Sequence, residues 1–294
     1  MSVTLPDQAQ KLRELVSLEK SRARVISFTS GKGGVGKTNL SLSMALSLIA
    51  MKKKVALVDF DLGLANVNVF LNCPHRWNLS HYINSEKSLS EVLVKGPGGL
   101  LFLPGSNGLS KLADINEQER ALLIKGLETL ERQVDFIILD TGAGISTNVL
   151  SLAAAADDVV VVTTPEPTAI LDAYSMIRSL SQVKKCGSLN VLVNQVQDRR
   201  DAIDVTDRIC AAATKFLKTD VKKMGYVYYD KQVQQSVINR RPFLLDSPKC
   251  DAANCIQSMA RYLARIPEPQ EKSGGFFSKL FDSFFEKTSH RKAG

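Results

Sequence analysis

Cysteine and histidine are both scarce in this chain, and neither is arranged for chemistry. The five cysteines (Cys73, Cys186, Cys210, Cys250, Cys255) are scattered, odd in number and never spaced C-x-x-C. That argues against a disulfide frame or an iron–sulfur centre and for a reducing compartment. The three histidines, His75, His81 and His290, fall in no metal-ligand pattern and read as ordinary surface or loop residues. No apolar run approaches the roughly 18–20 residues that a transmembrane helix needs. Met1–Arg24 is polar and lacks the apolar stretch of a signal peptide. Together these absences predict a cytoplasmic protein. No internal repeat is visible in the 294 residues, a length that buries a full core and allows one large or two small domains. The net charge of +8 and a pI of about 9.2 permit DNA or an anionic membrane as a partner and require neither.

What is present is an alternation of short β-branched runs with helical stretches. Strands are predicted at Val25–Thr29, Val55–Asp59, Leu100–Leu103, Phe136–Asp140, Val159–Thr164 and Asn190–Asn194, with a weaker one at Tyr226–Tyr229. Helices are predicted at Lys37–Met51, Glu117–Arg132, Thr147–Ala155, Thr168–Val183, Ala202–Leu217 and Ala252–Ala264. Runs such as Phe-Ile-Ile-Leu and Val-Val-Val-Val are apolar at successive positions, as strands buried on both faces are. The alternation predicts an α/β fold, a doubly wound, mostly parallel sheet with helices on both faces. Ile266–Gly275, with two prolines, charges and Gly-Gly, reads as a linker.

Directly after the first strand, residues 31–38 read Gly31-Lys32-Gly33-Gly34-Val35-Gly36-Lys37-Thr38. This is the phosphate-binding pattern G-x-x-x-x-G-K-[ST] in its strand–loop–helix setting. Glycines let backbone N–H groups converge on phosphate oxygens, and the following helix adds its positive end. Lys37 suits the β- and γ-phosphates, and the Thr38 hydroxyl suits Mg²⁺. One lysine suffices for a phosphate cradle, so Lys32 is surplus and is expected to reach toward a nucleotide in a second subunit. Asp59 and Asp61 end one apolar strand and Asp140 ends another, at the edge where doubly wound sheets bind ligands. Asp140-Thr-Gly-Ala-Gly144 has the Walker B form, with a carboxylate for the Mg²⁺ shell and glycines able to approach the γ-phosphate.

The double-lysine loop resembles the deviant Walker A of the MinD/ParA group of P-loop ATPases. Asp61-Leu-Gly-Leu-Ala65-Asn66, Asp140-Thr-Gly-Ala-Gly144 and Thr-Thr-Pro165-Glu-Pro167 extend the likeness over residues 24–265. The resemblance implies that two subunits sandwich two ATP molecules, each with Mg²⁺. It implies ATP binding by Gly31, Lys32, Gly33, Gly34, Val35, Gly36, Lys37, Thr38 and Asn39. Lys32 contacts the partner's phosphates, Asp61 orients the attacking water, and Asp59 and Asp140 join Thr38 at the metal. Asn66 is a weaker candidate on the same switch segment. Asn194 resembles the group's adenine-reading residue; a turn residue closing a strand is the other reading. Asn39 and Ala65 depart from MinD usage, as does an extension of about twenty residues before the first strand. That extension holds Asp7-Gln8-Ala-Gln-Lys-Leu12-Arg13, similar to the segment with which the flagellar number regulators of the FlhG (FleN) branch activate the GTPase FlhF. Asp7, Gln8, Leu12 and Arg13 are therefore candidate partner-activating residues within a docking segment, residues 1–23.

Phe276, Phe277, Leu280, Phe281, Phe284 and Phe285 recur along one face of a predicted amphipathic helix, with charges on the other face and basic residues after it. One reading is a membrane-surface anchor, residues 276–294, as in MinD and FlhG proteins; the other is a helix folded back on its own domain, and one helix can do both. The expectation is a slow ATPase switch that dimerises with ATP, holds the inner face of the cell membrane and regulates flagellar number or placement. FlhF-type GTPases, flagellar switch proteins and a flagellar transcription regulator are the candidate partners, and DNA is not expected. A MinD-type division-site regulator and a ParA-type DNA-partitioning ATPase are the alternatives. A metal-cluster carrier on this fold would need a paired-cysteine site, which the sequence does not supply.

Overall fold

A computed structural model describes residues 22–60, 66–71, 73, 75–105, 117–265 and 280. Eight strands form one sheet: β1 (Arg24–Ser30), β2 (Val55–Phe60), β3 (Val94–Lys95), β4 (Leu101–Leu103), β5 (Phe136–Ala143), β6 (Asp158–Thr163), β7 (Ser188–Val196) and β8 (Lys222–Tyr228). Their order is β3-β4-β2-β5-β1-β6-β7-β8, parallel throughout except for the antiparallel β3–β4 pair at one edge. The helices are α1 (Lys37–Ala50), α2 (Asn66–Leu71), α3 (Leu79–Ile83), α4 (Leu89–Val92), α5 (Glu117–Gln133), α6 (Thr147–Ala155), α7 (Pro167–Ser181), α8 (Arg199–Ala212), α9 (Lys231–Ile238), α10 (Phe243–Asp246) and α11 (Asp251–Arg265).

The expected doubly wound sheet is present, and its strands divide their side chains as the two-residue period demands. Ile26 and Phe28 of β1, Ile138 of β5 and Leu192 of β7 face a core shared with α1, α10 and α11. Val25, Ile137 and Leu139 face the other side, against α3, α5 and α6, while Val191 and Val193 meet α7 and α8 there. Alternate residues thus enter different cores, which is why the strands are apolar at every position. On α11, Ala252, Ala253, Ile256, Met259, Ala260 and Leu263 are buried at helical spacing. Each large member contributes about 1.5–3 kcal/mol by leaving water.

Some boundaries differ from the sequence-based expectation. The strand expected at Tyr226–Tyr229 runs over Lys222–Tyr228; as an edge strand it exposes Lys222 and Lys223, which breaks the apolar signal. The helix expected at Ala202–Leu217 starts at Arg199, capped by Asp198, which accepts from the Arg200 and Asp201 amides. It ends at Ala212 and passes into a π turn, Ala213–Leu217. The short α2, α3, α4, α9 and α10 were not expected. Asp230 caps α9 by accepting from the Gln232 amide at 2.9 Å, a signal that was readable in the sequence. Residues 1–21 of the docking segment, the linker at 266–275 and the tail except for Leu280 lie outside the described residues.

The start of β1 is fixed by buried ion pairs. Arg22 Nη1 donates to Glu131 at 3.2 Å, and Arg22 Nη2 meets Asp157 at 2.6 Å. Burial lowers the Arg22 pKa, but its bonds and charge contacts with Asp157 and Glu131 outweigh that and leave it raised. Arg24 pairs with Asp158 at 2.7 Å. Both arginines are under 10% exposed, so these pairs set the position of β1 rather than decorate a surface.

Candidate active site

β1 lies centrally, between β5 and β6, and its carboxyl end delivers the chain into the Gly31–Lys37 loop. The loop then enters α1 with Gly36 as N-cap, at φ 87° and ψ 16°. Only glycine adopts that left-handed conformation without a steric cost. The first turn of α1 contains no acidic residue, so the helix itself sets no like charge against an anion at its positive end. Ser30, residues 33–39, Phe70 of α2 and Ala143 of β5 line a cleft of about 330 Å³. At Gly33 and Gly34 the space a Cβ would fill is open. The two glycines therefore present bare backbone to the cleft, as a phosphate cradle requires.

Gly31 is glycine for another reason. A Cβ there would collide with the Asp172 carbonyl of α7. Its smallness locks the loop against α7 rather than opening it to a ligand.

The two lysines of the loop have separate fates. Lys37 is buried, and its Nζ sits 3.0 Å from Asp140 Oδ1, with side chains 7% and 1% exposed. Lys32 points outward instead. Its Nζ donates to Glu166 Oε1 at 2.8 Å and to Thr168 Oγ1 at 3.1 Å. The bond from Lys32, then that from Thr168, holds the Glu166 carboxyl below its ordinary value. Glu166 and Thr168 stand in the Thr-Thr-Pro-Glu-Pro-Thr stretch, yet composition and spacing gave neither of them a role. Phe70 was likewise missed, because nothing in the sequence signals that α2 folds beside the loop.

Asp59 and Asp140 are paired directly across the parallel β2–β5 ladder, and both are buried. Thr38 follows Lys37 on the first turn of α1. Two carboxylates and a hydroxyl at one sheet edge form an oxygen donor set that suits Mg²⁺, which binds through one or two carboxylates plus phosphate oxygens. The residues fit the nucleotide and the metal: Thr38, Asp59 and Asp140 would hold the ion, and Lys37 the phosphates. Bound Mg²⁺ would neutralise charge on the phosphates during transfer. Among the described residues no group of three or more His, Cys, Asp or Glu side chains is arranged to hold a metal through protein ligands alone. Burial pushes the Cys186 thiol up to about 11 and raises Cys210, Cys250 and Cys255, so none of the four is poised as a thiolate.

Asn194 lies inside β7 rather than after it, at a register shift between Val193 and Val196 where Gln195 has φ 59°. That removes the reading of Asn194 as a turn residue closing its strand. Its Nδ2 donates to the Val35 carbonyl at 2.8 Å, and a Cβ on Gly36 would strike its amide. Asn194 thus braces the phosphate loop from β7. Asp61, Asp7, Gln8, Leu12, Arg13, Phe276, Phe277, Phe281, Phe284 and Phe285 lie outside the described residues, as does the side chain of Asn66.

The AAA-domain family profile matches residues 23–193, more than half the chain, and takes in the phosphate loop, Asp59, Asp140 and Glu166. The chain belongs to the MinD/ParA group of P-loop ATPases. Antiactivator FleN of Pseudomonas aeruginosa is 32% identical over 85% of this chain and 90% of its own length. Flagellum site-determining protein YlxH of Helicobacter pylori is 30% identical over 93% of this chain and 98% of its own. Among solved structures, the MinC:MinD cell division complex of Aquifex aeolicus aligns with a TM-score of 0.67 at 27% identity, over 86% of this chain and 100% of that one. The chain is accordingly an ATP- and Mg²⁺-using ATPase close to the FlhG (FleN) branch, and the loop geometry gives that membership its chemistry.

Proposed function

We propose that this ATPase is a switch for flagellar number and placement, which dimerises with ATP, associates with the membrane as a dimer and stimulates an FlhF-type GTPase through residues 1–23. Lys32 carries the dimer reading. Its own cradle is already served by Lys37, and it stands at the cleft mouth, 38% exposed, borrowed by Glu166 and Thr168. Two exposed apolar side chains stand on the elements beside it. Ile145 is 52% exposed just after Gly144, whose amide bonds the Ser30 carbonyl beside the loop. Leu171, on the same face of α7 as Thr168, is 66% exposed. A second copy would cover both and offer a phosphate to Lys32 in place of Glu166. The Lys32–Glu166 contact is then a latch of the single subunit, opened when the partner's nucleotide competes for the amine.

Leu280 supports a tail with two positions. It is only 2% exposed and joins the cluster containing Ala23, Val25, Tyr82, Leu127 and Leu130. In this position one residue of the apolar stripe is docked on the ATPase domain, and dimerisation would release it to the membrane. Two tails on one dimer bind with avidity that exceeds a single helix by roughly 10²-fold or more. The names of the relatives, an antiactivator and a flagellum site-determining protein, support the flagellar role and a transcription regulator or flagellar switch protein as partner. A division-site role draws support from the MinD of Bacillus subtilis, 30% identical over 88% of this chain.

The test is light scattering on the Asp61→Ala protein, in which hydrolysis is blocked while binding is retained. The expected result is a dimer with ATP and Mg²⁺ and a monomer with ADP. A monomer in both would overturn the switch. Vesicle co-sedimentation of the intact protein and of Phe281→Glu then tests the anchor, with pelleting expected only for the intact protein with ATP.

A further inference from the structure

The π turn at the end of α8 exposes an aromatic ring that a continued α-helix would bury. Ala202, Val205, Thr206, Ile209 and Ala213 form the buried stripe of this segment. Continued as an α-helix, that stripe would next take positions 216 and 217. The π turn adds a residue to the turn and rotates the register. Leu217 stays half-buried, and Phe216 is turned out to 67% exposure. A single wide turn of this kind is often found at functional positions.

Lysines stand on the segments that meet at this turn. The π turn packs against α7, whose end leads into Lys184 and Lys185 just before β7 begins. Lys215 lies 5.2 Å from the Phe216 ring centre, and Lys218 ends the turn with φ 53°. Lys222 opens β8, paired with Asn190 of β7. All five lysines are exposed, and among the described residues none is in an ion pair. Nearby acids are mostly committed: Asp207 to Lys223, Asp204 to Arg208, Asp158 to Arg24 and Asp157 to Arg22. Asp220 is exposed within the patch and offsets one charge.

We propose that this patch, Phe216 together with Lys184, Lys185, Lys215, Lys218 and Lys222 on the adjoining segments, is a second membrane contact that binds the phosphate headgroups of anionic lipid. Solvated cations together with one protruding apolar ring match the headgroup–acyl boundary, where charge meets phosphate and the ring enters the apolar layer. The patch lies at the amino-terminal ends of β7 and β8, opposite the nucleotide cleft, so contact here leaves the cleft and the Lys32 face open. The proposal rests on the membrane reading above and adds to it a contact that belongs to the ATPase domain and not to the tail.

The experiment is co-sedimentation of the full chain with vesicles of phosphatidylcholine containing phosphatidylglycerol, with ATP, and with pure phosphatidylcholine as control. The variants are Lys184→Gln/Lys185→Gln, in a loop, and Phe216→Ser, at an exposed position. Each is checked for ATP-dependent dimerisation by light scattering. Two lysines near an anionic surface are worth about tenfold or more in partition, and a half-inserted phenylalanine about tenfold. The expected result is a loss of about that size on anionic vesicles for each variant, a weaker salt dependence for the lysine pair, and unchanged dimerisation. Variants that pellet like the parent, while Phe281→Glu does not, would overturn the patch and leave the tail reading intact. A parent that never pellets would overturn both. Variants that keep vesicle binding but lose retention of duplex DNA or an acidic peptide would mark the patch as a surface for those partners and overturn the lipid proposal.

Discussion

Replacing Asn194 by alanine separates two roles for a residue that sits between the phosphate loop and the sheet. In the structure its amide nitrogen donates to the Val35 carbonyl at 2.8 Å, and the side chain is 8% exposed. Alanine leaves that carbonyl without its donor in a buried place. An orphaned buried group costs roughly 1–3 kcal/mol. If the cost falls on the ordered, nucleotide-holding loop, affinity drops by about 5- to 150-fold. The share that falls on the whole fold appears as a lower Tm, roughly 2–4 °C per kcal/mol. Asn194→Asp keeps the volume but sets a carboxylate against the same carbonyl, so its loss is at least as large. The assay is fluorescence titration with labelled ATP and GTP in parallel. A brace acts on the phosphates, which the two nucleotides share, so both affinities are expected to fall by the same factor. A loss confined to ATP would refute the brace and make Asn194 a reader of the adenine edge.

Three further outcomes follow from the same geometry. Gly31→Ala drives a Cβ into the Asp172 carbonyl, a backbone atom that cannot yield, so calorimetry is expected to show ATP binding lost or severely weakened; near-normal affinity would mean that α7 gives way. Lys32 and Thr168 hold the Glu166 carboxyl below its ordinary value of 4.5, so the latch is intact at neutral pH and is lost only as pH falls through that lowered value; an NMR titration of Glu166 should shift up toward the ordinary value in Lys32→Ala, where the Thr168 bond remains, and identical titrations would deny the contact. Arg22→Met takes the cation from between Glu131 and Asp157, which by the usual cost of breaking a buried pair destabilises by about 3–5 kcal/mol; a urea midpoint unchanged from the parent would show that the network carries no weight.

Much of the site was legible in the chain because its chemistry is local. Gly31 to Thr38 is contiguous, and a strand–loop–helix unit places eight neighbouring residues by backbone geometry alone. The apolar runs at Val55, Phe136 and Val159 declared buried parallel strands, and the acidic residues after them marked the ligand edge. Residues joined only through the tertiary fold were harder to read. Glu166, some 134 positions from Lys32, became its partner through the docking of α7 on the loop. Phe70 entered the cleft wall because α2 folds beside α1. Phe216 is exposed because a π turn, which the expected helix at Ala202–Leu217 did not include, shifts its register.

By itself, then, the sequence determined the sheet of buried parallel strands, the phosphate loop and the acidic edge, because each depends on contacts within a few residues or on a two-residue hydrophobic period. Only the tertiary structure decided where the long, rotatable side chains rest. Lys37 turns in to Asp140 and Lys32 turns out to Glu166, although both belong to one short loop and carry the same charge. The difference comes from their surroundings: α1 carries Lys37 down to a buried carboxylate, and α7 offers Lys32 an acceptor in solvent. No local pattern records which carboxylate a lysine will meet, since that is set by strand order and helix docking across more than a hundred residues of chain.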